Sequence, residues 1–481
     1  MNKPFLLALA ACFLTGGTLW AGEFDDSGFG GGFDLEVSQP SVTLDPAASE
    51  NSDSGESPAA FYGFVKSEAG YGYEKDRDKL TKFRQTLNLT FDYKYSPDLQ
   101  FKANGNGFYD LAYGINGRSH YSQETLDGLQ KELELRDTYL DANLGAGFSV
   151  RAGRQILAWG QSDAGQLNDM ANPRDNRELG MVDLEDARIP VAATKFAWSS
   201  GGLEVDLVGL HEFRANKVAP KGAEFDPLVS LRATGVEVAN EQQPTGDKGY
   251  LARAHVSYNG GDAALYYSDT YSQSFYLDFE SFAASRTGGQ LTLRPKYKKI
   301  KSMGISGNQV FGSLLVKGEV AQKQGVAYAR TDTSAQLGVL LAQGINPQAG
   351  ISQVQTWAEK DLTQGMLGVE YMGISDLTLT AEATVEQVKD WTANLSSGKT
   401  SGMAYSSASY AALNDTFHTR LIWVHFFDSD GEVYRLNLDY DVIDALNLSA
   451  GLVSYNSPKT DALIEPFKKN DRLLLAAKYS F

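Results

Sequence analysis

The sequence is poor in the residues that most disulfide, metal and nucleic-acid sites require. Its 481 residues include one cysteine and five histidines, which excludes a disulfide scaffold and argues against a Cys- or His-rich metal centre. After residue 21 no apolar run approaches the roughly 20 residues of a transmembrane helix, so a polytopic helical membrane protein is excluded. Asp and Glu number 60 against 43 Lys and Arg. A nucleic-acid partner is not expected, because phosphate neutralisation needs clustered basic side chains.

The N-terminus predicts export. A short basic region over residues 1–3 is followed by the apolar run 4–14 and by a small-residue exit near Ala21-Gly22, the pattern of a secretory signal peptide. The stretch from Leu9 to Cys12 also fits a lipoprotein cleavage site, but the apolar region before it is very short. We therefore predict that residues 1–21 are a signal peptide and that the mature chain has no cysteine.

Residues 22–58 differ from the rest of the chain in being acidic and rich in Gly and Ser, without any Lys or Arg. Low hydrophobicity with high net charge predicts a disordered periplasmic segment. The apolar residues Phe24, Phe29 and Phe33 support a second interpretation, a plug of a lumen or an arm that binds a periplasmic partner. The acidic residues are Glu23, Asp25, Asp26, Asp34, Glu36, Asp45, Glu50, Asp53 and Glu56.

From 59 to 481 apolar and polar residues alternate along much of the chain. Between Lys82 and Tyr95, apolar side chains such as Leu87 fall on one face and polar ones such as Thr86 on the other. This period of two predicts β-strands. The pattern recurs at 99–113, 203–209, 250–258, 377–385, 434–440, 446–452 and 473–481.

Three features favour a transmembrane barrel over a soluble sandwich. The apolar faces end in Tyr, Phe or Trp, as in the aromatic girdles of outer-membrane barrels. The last strand alternates into Phe481; this ending resembles that of bacterial outer-membrane barrels, which implies recognition by the barrel-assembly machinery. Short turns alternate with long polar connections, as periplasmic turns alternate with external loops. The turns fall at 96–98, 145–147, 200–202, 375–376 and 443–445, and the long connections near 114–130, 160–190, 213–248, 273–290 and 324–360.

We therefore predict an all-β fold for residues 59–481, a transmembrane antiparallel β-barrel of about 16–18 strands in contact with outer-membrane lipid. A barrel of this size is too wide for side chains to fill, so its lumen is an aqueous channel or is plugged. Inward-facing charges of both signs predict weak ion selectivity. They are Arg84, Asp92, Lys94, Lys102, Asp110, Glu204, Asp206, Arg253, Glu382, Glu386, Arg435, Asp439 and Arg472.

The densest motif lies between residues 148 and 190. Its parts are Gly153-Arg154-Gln155, Ala158-Trp159-Gly160, Asn172-Pro173 and Glu185-Asp186-Ala187-Arg188-Ile189-Pro190. These residues resemble a family of proteobacterial outer-membrane barrels of unknown function, marked by a Gly-Arg/Lys-Gln…Trp-Gly strand, an Asn-Pro turn and an Asp/Glu-Asp-Ser/Ala-Arg-Ile-Pro exit. The specific match covers roughly residues 150–212. The resemblance implies a porin-like barrel linked with uptake of hydrophobic compounds such as alkanes, sterols and polyesters.

The connection 160–190 is long for a structureless loop, which marks it as functional or disordered. Two interpretations stay open: an ion-pair latch of Arg154, Asp175, Asp186 and Arg188 without a ligand role, and an inward-folded constriction that selects solutes. Asp175 or Asp186 is the expected partner of Arg188. No spacing matches a defined calcium loop, and no metal or cofactor is predicted. The candidate residues are Arg154, Gln155, Trp159, Asp163, Asp169, Arg174, Asp175, Arg177, Asp183, Glu185, Asp186 and Arg188.

The sequence thus predicts a channel or uptake barrel for small organic solutes, hydrophobic ones included, in the Gram-negative outer membrane. The alternative is a structural or adhesive barrel, or an export partner whose acidic tail docks a periplasmic protein. An enzyme is not predicted, because no Gly-x-Ser-x-Gly motif occurs and the histidines are scattered. His418 and His425 are seven residues apart and so lie on opposite faces of a straight strand.

Overall fold

The computed structural model describes residues 58–74, 79–181, 187–246, 248–285, 288–344, 350, 353–459 and 464–481. Within them, a sheet of 18 antiparallel strands pairs in chain order and closes into a barrel. The strands are β1 (Ala59–Gly72), β2 (Lys79–Ser96), β3 (Leu99–Asp110), β4 (Lys131–Gly145), β5 (Phe148–Gln155), β6 (Val191–Ser200), β7 (Leu203–Leu210), β8 (Gly249–Tyr258), β9 (Gly261–Tyr271), β10 (Lys299–Phe311), β11 (Leu314–Ala329), β12 (Trp357–Ile374), β13 (Leu377–Val388), β14 (Thr400–Ala412), β15 (Phe417–Phe426), β16 (Glu432–Ile443), β17 (Leu446–Asn456) and β18 (Arg472–Ser480).

The barrel closes where β1 pairs with β18. The register runs from Phe64 opposite Ser480 to Gly72 opposite Arg472. Beyond it, Gly63 and Phe481 exchange two backbone hydrogen bonds of 2.9 Å. Closure leaves no unpaired sheet edge, which a sheet within a bilayer requires. The predicted all-β antiparallel barrel is confirmed, with a strand number at the upper end of the predicted range.

Short turns lie at one end of the barrel and long loops at the other, as the sequence predicts. The turn between β4 and β5 uses Gly145 and Gly147 at φ of 79° and 83°, backbone values that favour glycine. One predicted boundary is wrong: the strand expected over 99–113 ends at Asp110. There the Asp110 carboxylate accepts hydrogen bonds from the backbone N–H groups of Phe83 (2.9 Å) and Ala112 (3.1 Å), which turns the chain into a short helix.

The long loops carry small elements of their own. The helices are Ala112–Ile115, Gln123–Leu129, Val229–Ala233 and Thr333–Ala342, with 3₁₀ turns at Arg118–His120 and Glu465–Phe467. The loop strands are Asp175–Asn176, Lys217–Val218, Glu237–Val238, Tyr276–Ser285 and Gly288–Lys296. No helix among the described residues has the length and apolar character needed to cross a membrane.

The wall has the predicted register. On β2 the side chain of Leu87 is 45% exposed on the outer face, whereas Thr90, three positions along, is 4% exposed on the inner one. Large apolar side chains are likewise exposed around the outer face, for example Ile305 on β10 and Leu367 on β12. An exposed apolar surface of this extent on a closed barrel is the lipid-facing band of an outer-membrane protein.

Arginine at the centre of the outer face should prevent stable insertion. Leu87 lies midway along β2, so Leu87→Arg places a charge in lipid at a cost of about 2–4 kcal/mol. Thr86→Arg, one residue away, places the same side chain in the lumen and should fold while changing conductance. The measurement is refolding into vesicles followed by urea titration. Equal loss of stability in both variants would contradict the assigned register.

Candidate functional site

The connection between β5 and β6, residues 156–190, folds into the barrel; we call it the lumen loop. Its described residues contact inward side chains of wall strands far apart in the sequence, including β11, β13, β16 and β2. A loop inside a barrel must satisfy its own backbone groups there, because water is largely displaced. The wall carboxylates described next supply much of that satisfaction.

Glu319 on β11 anchors the first part of the lumen loop. Its side-chain oxygens accept hydrogen bonds from the backbone N–H groups of Gln161 (2.7 Å), Ser162 (3.2 Å) and Asn168 (2.9 Å), and from Asn168 Nδ2 (2.8 Å). Gly160 allows this approach: its φ is +105°, and a Cβ there would lie 2.9 Å from Glu319 Oε1. The glycine of the Trp-Gly pair therefore leaves the space that the Glu319 carboxylate occupies.

A second anchor lies on β13. The Glu382 carboxylate accepts hydrogen bonds from the backbone N–H of Asp163 (3.1 Å) and from Ser162 Oγ (2.9 Å). Lys317 Nζ lies 2.8 Å from Asp163 Oδ2 and 2.5 Å from Glu382 Oε1. Lys317 and Glu382 are buried, and a buried charge is stable only when it is paired and hydrogen-bonded in this way.

Asn172, of the Asn-Pro pair, joins the two ends of the lumen loop. Its Nδ2 donates to the backbone carbonyls of Gln155 (3.2 Å) and Ile189 (2.9 Å), and its Oδ1 accepts from the backbone N–H of Leu157 (2.6 Å). Its side chain is fully buried. One amide thus satisfies three buried main-chain groups where the loop leaves and re-enters the wall.

Apolar packing joins the lumen loop to most of the wall. Leu157, Trp159, Met170 and Ala171 belong to a buried cluster with inward residues of β6–β8 and β10–β13. Ala164, Leu179 and Met181 belong to another with inward residues of β14–β17. Such contiguous clusters exclude water, so the lumen beside these strands is filled by protein.

The structure places the predicted site residues in several different environments. Gln155 is buried and donates to the carbonyl of Ala193 (3.0 Å). The Trp159 ring lies 5.7 Å from the Arg253 guanidinium. Asp169 accepts from Arg188 Nε at 3.1 Å and lies 3.7 Å from Arg174. Asp183, Glu185 and Asp186 lie outside the described residues.

The predicted pairings of the latch are wrong for the residues that the structure describes. Arg188 is beside Asp169, not Asp175, and Asp175 instead accepts from Arg177 Nε at 2.8 Å. Arg154 pairs with Glu212 at 2.9 Å. Neighbouring strand residues point to opposite faces; because Gln155 faces the interior, Arg154 points to the outer face, away from the lumen loop.

Beside β1–β4 the lumen loop meets the wall through charged rather than apolar side chains. Glu178 contacts Lys82 (2.6 Å) and Arg84 (2.9 and 3.1 Å) on β2, and Arg177 lies 2.5 Å from Glu132 on β4. Burial alone would raise the pKa of Glu178, but the charges of Arg84 and Lys82 lower it well below its ordinary value. The Glu178 carboxylate is therefore ionised at any physiological pH.

These groups surround a cavity of about 100 Å³, which we call the charged constriction. Phe64 on β1 also borders a second, larger cavity of about 390 Å³ towards the short-turn end, lined by Thr90, Lys478 and Phe481 among others. The charged constriction is lined by Phe64, Lys66, Glu68, Lys82, Arg84, Thr86, Asn106, Phe108, Leu129, Glu132, Glu134, Arg136, Asp175, Arg177, Glu178 and Met181.

The sequence analysis did not identify Glu319 as an anchor of the lumen loop, Asn172 as the link between its two ends, or the contact of Glu178 with Lys82. Strand alternation could have found Glu319 and Lys82 as charges on inward positions, as it did Arg84 and Glu382. It could not have shown which loop atoms they meet. Among the described residues, no group of three or more His, Cys, Asp and Glu side chains is arranged to hold a metal ion.

Several solved structures are similar to this chain. OccAB3 of Acinetobacter baumannii has a TM-score of 0.49 at 10% identity, over 88% of this chain and 99% of its own. OpdK of Pseudomonas aeruginosa, solved with vanillate, has a TM-score of 0.48 at 11% identity, over 88% and 98%. The channel DcaP of A. baumannii has a TM-score of 0.42 at 13% identity, over 88% and 97%.

Comparison of the sequence with protein-family models identifies a family. No curated protein matches the sequence significantly. The family model of the protein of unknown function DUF1302 matches residues 3–481, a span that includes every barrel strand and the motif of the lumen loop. The chain belongs to the DUF1302 family.

Proposed function

We propose that the protein is an outer-membrane channel for small organic solutes, with its passage confined to the β1–β4 side of the lumen. One observation carries the proposal: the lumen loop packs through buried apolar clusters against β6–β8 and β10–β17, and a cavity lies beside β1–β4. A loop that narrows a wide barrel restricts the size of what passes, and the residues left at the gap determine its chemistry.

The gap suits small solutes with polar groups. Its lining carries Lys66, Arg136 and Arg177 against Glu68 and Glu134, besides the Glu178 contacts described above. Because both signs are present in close pairs, net charge should be a weak criterion for passage. The apolar side chains of the lining can contact an apolar part of a solute. A solute with an apolar part is consistent with the hydrophobic compounds that the family resemblance implies.

Conductance of the purified protein in planar bilayers tests the proposal. We expect small, steady single-channel currents, with a reversal potential near zero in a KCl gradient because selectivity is weak. Thr86→Arg, which adds a cation to the constriction, should lower the current and shift the reversal potential towards anion selectivity. Silent bilayers with protein that is verifiably inserted would support the alternative, a structural barrel or an export partner.

We also propose that the assembly machinery recognises the strand that ends in Phe481. The Phe481 backbone closes the ladder with Gly63, and the residue is 50% exposed. Phe481→Ala keeps the backbone bonds and should reduce the amount of heat-modifiable barrel in the membrane. Phe311→Ala removes another exposed aromatic, on β10, and should leave that amount unchanged. Equal yields of the two variants would contradict a recognition role.

A further inference from the structure

The contact between Glu178 and β2 has the geometry of a bound carboxylate. Arg84 Nη2 donates to Glu178 Oε1 at 2.9 Å and Arg84 Nη1 to Oε2 at 3.1 Å, so each terminal guanidinium nitrogen contacts a different carboxylate oxygen. Lys82 Nζ adds a third contact at 2.6 Å. Paired N–H donors from arginine are the usual means by which proteins recognise planar carboxylates.

The receiving side of this contact belongs to the wall. Lys82 and Arg84 occupy successive inward positions of β2, and both are largely buried. The Arg84 guanidinium lies 4.2 Å from the centroid of the Phe108 ring, and its Nε lies 3.6 Å from Asp110 on β3. Wall residues therefore hold the Arg84 guanidinium in place independently of the lumen loop, with Lys82 two positions away on the same strand.

Glu178, whose carboxylate contacts these two cations, belongs by contrast to the lumen loop. Glu178 follows the turn in which Arg177 Nη1 donates to the carbonyl of Gly128 (2.7 Å). It lines the charged constriction together with apolar side chains, among them Leu129 and Met181. A cationic pair on the wall and a few apolar side chains thus line the same gap, and the Glu178 carboxylate occupies the cations.

We propose that Lys82 and Arg84 form a carboxylate-binding site of the channel, which Glu178 occupies as an internal ligand and which a monocarboxylate with a small apolar body occupies by displacing it. The proposal rests on the channel function proposed above, since it names the class of solute that the constriction receives. Displacement exchanges one carboxylate for another at the two cations, which stay neutralised, and the displaced Glu178 carboxylate keeps its charge and must be solvated or paired elsewhere in the constriction. Leu129, Met181 and Phe108 are placed to contact the apolar body.

Competition with a tethered carboxylate predicts a measurable effect. A group held near its site by a short tether acts at an effective concentration in the millimolar range or above. Glu178→Gln removes the charge that competes but keeps a side chain of the same size. We therefore expect the half-saturating concentration of a free carboxylate to fall at least tenfold in this variant.

The experiment uses full-length protein in detergent and radiolabelled benzoate in equilibrium dialysis, with benzamide as the uncharged competitor. Glu178→Gln should bind benzoate at least tenfold more tightly than wild type, benzamide should not displace it, and Glu178→Gln with Arg84→Gln should lose the binding. Glu280→Gln is the matched control, because Glu280 also makes paired contacts with an arginine, Arg294 (2.7 and 2.8 Å), but on an exposed loop hairpin. It should behave as wild type.

The outcomes separate the two proposals. Benzoate binding that is no tighter in Glu178→Gln than in wild type, or that survives Arg84→Gln, would overturn the carboxylate site even if the protein conducts. Silent bilayers together with tight, Arg84-dependent benzoate binding by Glu178→Gln would overturn the channel function while leaving the site established. In a conducting protein, millimolar benzoate should block KCl current through Glu178→Gln more strongly than through wild type.

Discussion

Glu319→Ala should release the first part of the lumen loop and increase single-channel conductance severalfold. The substitution removes the acceptor for one buried and two partly buried backbone N–H groups and for Asn168 Nδ2. Each buried donor left without a partner costs about 1–3 kcal/mol, and together these costs oppose the inward position of residues 161–168. The barrel wall should still form, because no backbone pair of β11 is altered.

Two measurements test this expectation. Conductance should rise and become noisier, and an external protease should cut within 161–168 in the variant but not in wild type. Glu359→Ala is the control: Glu359 pairs with Lys298 at 2.7 Å, but on an exposed part of β12, and such a pair contributes about 0–1 kcal/mol. Unchanged conductance and protection in Glu319→Ala would show that the apolar clusters alone hold the loop.

Asn172→Ala should separate the two ends of the lumen loop and destabilise the barrel where β5 meets β6. Three buried main-chain groups lose their partner at once, and each costs about 1–3 kcal/mol when left unpaired. The loss falls next to wall residue Gln155, so we expect a lower temperature of heat modification as well as faster proteolysis.

Asn143→Ala provides the comparison for this variant. Asn143 Oδ1 also accepts from a backbone N–H, that of Gly145 at 3.0 Å, but at the exposed turn between β4 and β5, where water can replace it. Its heat-modification temperature should match that of wild type. If the heat-modification temperature of Asn172→Ala also matched that of wild type, the Asn-Pro pair would affect only the local turn geometry.

Much of the wall could be predicted from the sequence because strand geometry is local. The alternation of Leu87 with Thr86 is a property of consecutive residues. Because lipid lies outside the barrel and water inside it, only one register of the strand places the apolar side chains in lipid. Turn and loop positions follow for the same reason, since they are where alternation stops. The boundary error at Asp110 arose where a carboxylate accepts a hydrogen bond from the backbone N–H of Phe83 on another strand, which no local pattern reports.

The lumen loop shows the opposite case. Its charge-rich sequence predicted ion pairs, yet Arg188 pairs with Asp169 and Arg154 with Glu212. A charge pattern along the chain indicates which side chains need an oppositely charged partner. It does not indicate which partner is close enough in the folded protein. That depends on which face of the strand each residue occupies and on where the loop crosses the lumen.

The sequence by itself determined the alternation, the turns, the outward apolar face and the family motif, because each depends on neighbours in the chain. Only the tertiary structure decided that Glu319 and Glu382 anchor the lumen loop and that Glu178 lies against Lys82 and Arg84. Those partners lie on strands far apart in sequence, and they meet only because β1 closes against β18. Barrel closure sets the distances across the lumen, and those distances decide where the lumen is filled and where the charged constriction remains.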